Sequence, residues 1–147
     1  MARVEFLARA LMRRGDRVLV CRDLKHGHAY LPGGHVEFGE AAAAAAAREL
    51  QEECGLACEV GAPLLVWESR FVQRGKPKHE FSVVFHVEPS GGGVWPAEVS
   101  SLEDHIAFEW IDPASAPDEG VVPGDIAAWL AAPVAEGVDW VSIEESD

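Results

Sequence analysis

Four glutamates lie close together in the first half of the chain, Glu40, Glu49, Glu52 and Glu53, with Arg48 the only basic residue among them. Ala41 to Ala47 is an unbroken run of the best helix former. Pro32-Gly33-Gly34 and Gly39 precede it as turn formers, and Cys54-Gly55 supplies a glycine stop. The pattern predicts a helix from about Gly39 to Cys54. At about 100° per residue, Glu49, Glu52 and Glu53 share one face of that helix. Like charges at those spacings repel, by a few tenths of a kcal/mol each when solvated and by more when crowded and partly buried. A solvated face is the ordinary explanation of such a run. The alternative is a hard divalent cation, since Mg2+ and Mn2+ prefer carboxylate oxygens and ordered water.

The longer-range spacing favours the cation. From Gly34 the chain reads glycine, five residues, glutamate, seven residues, then Arg-Glu-apolar-any-Glu-Glu-any-Gly-apolar. Gly34, Glu40, Arg48, Glu49, Leu50, Glu52, Glu53, Gly55 and Leu56 fill the defined positions. From average residue usage, a chance match in a chain of this length is on the order of one in ten million. The segment resembles the Nudix box without a mismatch, and the flanking segments agree with that family over most of the chain. The resemblance implies an α/β (α+β) fold, an α/β/α sandwich around a mixed β-sheet, in which the box forms loop, catalytic helix and loop. It also implies metal-dependent hydrolysis of a nucleoside diphosphate linked to another group.

Cleaving a diphosphate link requires charge neutralisation on phosphate oxygens and in-line delivery of water, which two or more divalent ions do well. Glu49, Glu52 and Glu53 are the expected metal ligands, because one helical face presents them together and the family uses these box positions so. Mg2+ is the expected ion, with Mn2+ an alternative. One of the three, or a downstream acid, acts as base toward water. The resemblance further implies that the Gly33 carbonyl completes the metal shell and that Glu40 supports the site. Arg48 completes the expected catalytic set as an orienting residue that points away from its neighbour Glu49 and pairs with a carboxylate. Gly34 and Gly55 permit backbone conformations that bulkier residues resist, and Leu50 and Leu56 are core.

Other residues are candidates for the same site. A further acid often assists in this family; Glu98, Glu103 and Asp104 are available here, and Glu103 is chosen as an additional metal ligand. His26, His28 and Tyr30 precede the box loop, where they can meet a base or a phosphate. His79 and Glu80 lie at a strand start as a metal or substrate contact or an ordinary strand-end pair. Trp67, Trp95 and Trp110 offer stacking surfaces, with core filling expected of Trp110. Arg70, Arg74, Lys76 and Lys78 form a local basic patch suited to steering a phosphate tail, or simply a solvated hairpin turn. His28, Arg70 and Arg74 are the expected substrate contacts.

Substrate markers outside the box are lacking. The ADP-ribose group of the family tends to carry a proline about where Phe71 and Val72 stand, and the diadenosine polyphosphate group a tyrosine where Gln73 and Arg74 stand. The expectation is therefore a Mg2+-dependent hydrolase of a small nucleoside diphosphate derivative, such as a nucleoside triphosphate or nucleotide sugar, releasing a nucleoside monophosphate. A non-catalytic Nudix-like nucleotide-binding sensor and an ADP-ribose or dinucleotide pyrophosphatase are the alternatives.

Composition is compatible with this reading. The 147 residues, 48% of them hydrophobic, suit one domain spanning 1–147. No apolar run approaches the roughly 20 residues of a membrane span, and Glu5 and Arg9 interrupt any signal-peptide core. No membrane association and a cytoplasmic location are expected. Cys21, Cys54 and Cys58 are odd in number and lack a zinc pattern, so they read as free thiols. A net charge of −13 would repel long nucleic acid. Small phosphate substrates remain compatible, and so does a homodimer, which is frequent in the family.

The elements that must position these residues follow from pattern. Val4 to Arg13 and Arg17 to Arg22 read as a hairpin around Arg14-Gly15-Asp16. Leu24 to Leu31 reads as a loop, and Ala57 to Val72 as one or two strands interrupted by Gly61-Ala62-Pro63. Phe81 to Val87 and Ala107 to Ile111 read as strands, Val122 to Ala132 as a second helix with Pro123 in its first turn. Val138 to Ile143 is an added strand or a partner-facing edge, and Glu144 to Asp147 an acidic tail.

Overall fold

The computed structural model describes residues 2–134 and 136–145, so Ser146 and Asp147 of the expected tail lie outside the described residues. The hairpin signal becomes β1 (Val4–Arg14) and β2 (Arg17–Asp23), turned at Gly15 with φ of 61°. There follow β3 (Ala29–Tyr30), β4 (Gly33–His35), α1 (Ala42–Cys54), β5 (Cys58–Gln73), β6 (Lys76–Pro89), β7 (Ile106–Ile111), α2 (Gly124–Ala131) and β8 (Asp139–Glu144). The strands run in the order β3-β2-β1-β6-β5-β8, with β4 added on β1 and β7 on β2. The β1–β6 and β5–β8 pairs are parallel and the other pairs antiparallel, so the sheet is mixed.

Strand alternation sends side chains to two cores, one under each helix. Ala8, Ala10 and Met12 of β1, Leu19 of β2 and Phe85 and Val87 of β6 pack with Ala45, Ala46, Leu50 and Cys54 of α1. Leu11, Val18, Val20, Leu65, Val84 and Ile143 pack with Ile126, Ala127 and Leu130 of α2 on the opposite face. This is the expected α/β/α sandwich. Full burial of Leu50 contributes about 2 kcal/mol and fixes the rotation of α1, with its acidic face turned toward the β4 edge. Among the described residues no helix is long and apolar enough to cross a membrane.

Some boundaries differ from the sequence reading, for identifiable reasons. The helix begins at Ala42 rather than Gly39, because Gly39 at φ 84° and the Glu40 N–H to Glu37 carbonyl bond (3.0 Å) form a turn that leaves Glu40 before the helix. Its end is as expected, with Gly55 left-handed at φ 69° and its N–H donating to the Gln51 carbonyl. Gly61-Ala62-Pro63 does not break β5; the pairing with β6 shifts register there and continues, as at a bulge. β6 begins early, at Lys76, because Arg74 and Gly75 both take positive φ and close a two-residue hairpin. The loop from Leu24 to Leu31 contains the short β3. α2 starts at Gly124 with Pro123 as its flanking residue, and β8 joins the sheet edge beside β5.

Gly33 is the backbone position that binds the box loop to the sheet. It pairs with Arg9, has φ of 146°, and a methyl group there would overlap the Ala8 carbonyl. Gly33→Ala should therefore destabilise the fold by about 3 kcal/mol, against about 1 kcal/mol for Gly15→Ala, whose surroundings are open. Urea midpoints of the two variants, read at unchanged m-value, check the difference; equal losses would contradict it.

Candidate active site

Arg48 organises the box. Its Nε donates to Glu40 Oε2 at 2.8 Å and its Nη2 to Glu40 Oε1 at 3.0 Å, a two-point clamp, and Nη2 also donates to the His35 carbonyl at 3.0 Å. Nη1 donates to Glu49 Oε1 at 2.9 Å and lies 3.3 Å from both Glu52 oxygens. The expectation that Arg48 points away from Glu49 is thus corrected. The guanidinium lies across the helix face and touches both neighbouring carboxylates as well as Glu40, since five donors on a planar fork can serve several acceptors. These bonds raise the Arg48 pKa further, Glu40 contributing most, and hold the Glu40 carboxyl below its ordinary value. Glu40 is itself set by the Glu37 N–H, which donates to its Oε1 at 3.1 Å.

The three helix glutamates share a face but not an environment. Glu52 is 56% exposed at its side chain, Glu49 17%, and Glu53 as a residue only 6%. Arg48 reaches Glu49 and Glu52, whereas Glu53 has no Arg48 bond among the described contacts. The Glu53 carboxyl is pushed up to about 8, by burial first, then by the neighbouring Glu49 and by the Glu103 charge, with Arg9 offsetting a part. The Cys21 thiol lies 3.9 Å from Glu53 Oε2. Its own pKa is raised, first by burial, so it stands there as a neutral S–H. On the opposite side the Glu49 carboxylate rests against Gly34 so closely that a methyl group there would overlap it. The box glycine is therefore the floor of the carboxylate site.

Of the three downstream acids, Glu103 is the one whose charge reaches Glu53. The Leu102 N–H donates to the Glu53 carbonyl at 2.8 Å, which ties this loop to the end of α1. Ser101 braces it, its Oγ donating to the Glu103 carbonyl at 2.7 Å. Glu49, Glu53, Glu103 and the Gly33–Gly34 backbone thus form one neighbourhood, with Glu52 at its solvent edge.

Beside it opens a cleft of about 350 Å³ lined by Arg9, His28, Tyr30, Trp67, Phe71 and Glu80, among others. Arg9 is set in register with Gly33. Its guanidinium carbon stands 6.0 Å from the Tyr30 ring centre and 5.4 Å from that of Trp67, within cation–π range. Nη1 donates to the Leu31 carbonyl at 2.9 Å, and Nε is buried without a partner. Burial lowers the Arg9 pKa, with Glu80 the largest opposing influence. Sequence reading missed Arg9, Cys21 and the cleft position of Glu80. A charged residue inside the apolar stretch Phe6 to Met12 was a usable signal for Arg9; for Cys21 there was none.

Of the expected substrate contacts, His28 borders this cleft. Arg70 and Arg74 do not. Arg74 sits in the β5–β6 turn, and Arg70 pairs with Glu144 at 3.2 Å and lines a separate cavity of about 450 Å³ with Lys78 and His79. That cavity is larger, but the acids lining it, Glu144 and Glu145, belong to the end of the chain and not to the helix carboxylate group, whereas Arg9 of the smaller one lies within electrostatic reach of Glu53. Trp67 reaches the cleft, whereas Trp95 is 3% exposed in the core under α1 and Trp110 packs against that core with its Nε1 donating to the Pro96 carbonyl. His79 pairs with Glu68 at 3.4 Å.

The chain resembles known proteins over most of its length. A model of the NUDIX domain matches residues 1–132. A MutT-like protein of Streptomyces ambofaciens is 32% identical over 107 residues, 73% of this chain and 62% of that protein, so the chain spans under two thirds of that relative's length. The solution structure of the E. coli ORF135 protein superposes with a TM-score of 0.62 at 26% identity, covering 85% of each chain. The crystal structure of a MutT NUDIX hydrolase from Burkholderia pseudomallei superposes with a TM-score of 0.69 at 22% identity, covering 88% of this chain and 99% of that one. A box without a mismatch, the sandwich that positions it and the match across residues 1–132 have one reading: the chain belongs to the NUDIX domain family.

Proposed function

We propose that the chain is a Mg2+-dependent pyrophosphohydrolase that cleaves the diphosphate linkage of a small nucleoside diphosphate derivative, a nucleoside triphosphate or nucleotide sugar, and releases a nucleoside monophosphate. The observation that carries the reading is the buried Glu53 carboxyl, crowded by Glu49 and Glu103 while the single helix cation, Arg48, is engaged elsewhere. An all-oxygen, acidic donor set of this kind suits a hard divalent ion, Mg2+ or Mn2+. Glu49, Glu53, Glu103 and the Gly33 carbonyl would hold it, with Glu52 available for a second ion. Such an ion would neutralise charge on the diphosphate and make a water a better nucleophile.

The remaining work falls to side chains. Arg48 positions Glu49 and Glu52 by bonding both, and Glu40 keeps Arg48 in place. The base is one of the acids in this group. The nucleoside fits the neighbouring cleft, where Trp67, Tyr30 and Phe71 offer ring faces and Arg9 and His28 polar contacts. Arg70 and Arg74, outside the cleft, contribute to attracting an anionic substrate rather than gripping it. A small phosphate substrate, not long nucleic acid, is the partner that a net charge of −13 allows once cations are present. A homodimer remains compatible with this reading.

Glu53→Gln should lower kcat about a thousandfold or more with the circular dichroism spectrum unchanged, scored as nucleoside monophosphate release from a nucleotide panel with Mg2+. A near-normal rate would sink the assignment. Arg9→Gln should raise KM about tenfold and leave kcat within about threefold, because it serves the nucleoside end; an equal loss in kcat would place it at the chemistry instead. The pH dependence follows from Glu53, whose ordinary value of 4.5 is raised to about 8. The unfolded chain releases this proton first, so the contribution of Glu53 to metal-free stability is fully present below about pH 4.5 and is lost as pH rises toward about 8. Mg2+ favours the ionised carboxylate, so its thermal stabilisation should be small near pH 5 and large near pH 8. Equal Tm shifts at the two pH values would contradict this.

A further inference from the structure

We propose that the loop joining β2 to β3 holds a second kind of cation, a borderline divalent ion of the Zn2+ type, between Asp23, His26 and His28. One donor atom from each of the three lies within 4.8 Å of the others. Asp23 Oδ2 stands 3.4 Å from His26 Nδ1 and 3.7 Å from His28 Nε2. Those separations are long for hydrogen bonds to a ring nitrogen. They match the edge of a tetrahedral site, where bonds of about 2.0–2.2 Å put neighbouring donors about 3.4 Å apart.

The loop is built to keep this arrangement. Asp23 Oδ1 accepts from the Lys25 and His26 N–H groups at 2.8 and 2.9 Å, which turns Oδ2 toward the imidazoles. The Asp23 and His28 backbones close the loop, Asp23 N–H donating to the His28 carbonyl at 2.8 Å, and the Gly27 N–H donates to the Asp23 carbonyl at the same distance. Gly27 takes φ of 83°, the left-handed turn that places the two histidine rings side by side with centres 6.0 Å apart. Arg22 pins the turn from below, its Nη1 donating to the Gly27 carbonyl at 3.0 Å while its Nε and Nη2 clamp Glu109.

The donor chemistry separates this site from the helix carboxylates. Two imidazoles and one carboxylate suit zinc or a neighbouring transition metal, whereas an all-oxygen set suits Mg2+. The other mixed cluster, Glu5, His35 and Glu80, offers one nitrogen and two carboxylates set opposite each other across β1 and β6, a poorer match to the same ion. His28 also borders the nucleoside-sized cleft, so an ion here would stiffen one of its walls. This proposal is independent of the reading of the helix glutamates.

Calorimetric titration of the full chain with Zn2+, with saturating Mg2+ present to occupy oxygen-only sites, tests it. Wild type should take up one equivalent, Co2+ in place of Zn2+ should give the visible absorption of a tetrahedral ion, and Glu53→Gln should titrate like wild type. The double variant His26→Ala/His28→Ala should weaken uptake at least about tenfold with circular dichroism unchanged. Asp23→Asn, which keeps an oxygen for the loop N–H groups, should weaken it as well. No uptake by wild type, wild-type uptake by the double variant, or loss of uptake in Glu53→Gln would each overturn the proposal.

Discussion

The close approach of α1 to β1 is the constraint on which the site depends. Ala45 and Ala46 are wholly buried in one cluster with Ala8 and Ala10, so helix and sheet meet through methyl groups on both sides. At that spacing the last turns of α1 bring Glu49 onto Gly34 and Glu53 beside Cys21. Larger residues in either row would push the helix outward and return the carboxylates to water. The alanine run, which has no chemistry of its own, is what makes the glutamates chemically unusual.

Electrostatics then divides the glutamates by environment. One guanidinium is shared among Glu40, Glu49, Glu52 and the His35 carbonyl, and it stops short of Glu53. A buried carboxylate among other carboxylates is costly, and the protein meets that cost by favouring the proton on Glu53. On the proposed function, a cation would bind there in place of that proton. On that reading fold stability and ion affinity would be opposed at this point, and strongly perturbed pKa values do cluster at functional sites.

The sheet carries the second half of the site. Parallel pairing of β1 with β6 sets Arg9 and Glu80 along one face, and pairing of β1 with β4 brings the box loop alongside them. The cleft therefore begins where the carboxylate neighbourhood ends, with Arg9 held between the rings of Tyr30 and Trp67. The β2–β3 loop closes one side of it through His28. A common framework of strands thus supports the groups proposed for a diphosphate, for a flat ring and, on the loop, for a borderline metal ion.

Local spacing was enough to read the helix, its glycine stop, the hairpins, the family likeness and the glutamates as one face, because these depend on periodicity within a few residues. Glu103 was singled out among the downstream acids, and its nearness to Glu53 depends on a tether from Leu102 to the end of α1, which is tertiary. Local spacing failed where side-chain reach or strand register decides neighbours. Arg48 meets Glu49 rather than avoiding it, Cys21 reaches a carboxylate 32 residues away, and Arg70 and Arg74 lie outside the cleft. By itself the sequence determined that Glu49, Glu52 and Glu53 stand on one helical face. Only the tertiary structure decided which carboxyl is buried, which shares the arginine and which ring borders the cleft. Burial and charge separation are set by chain segments brought together through the sheet, and helical spacing carries no record of them.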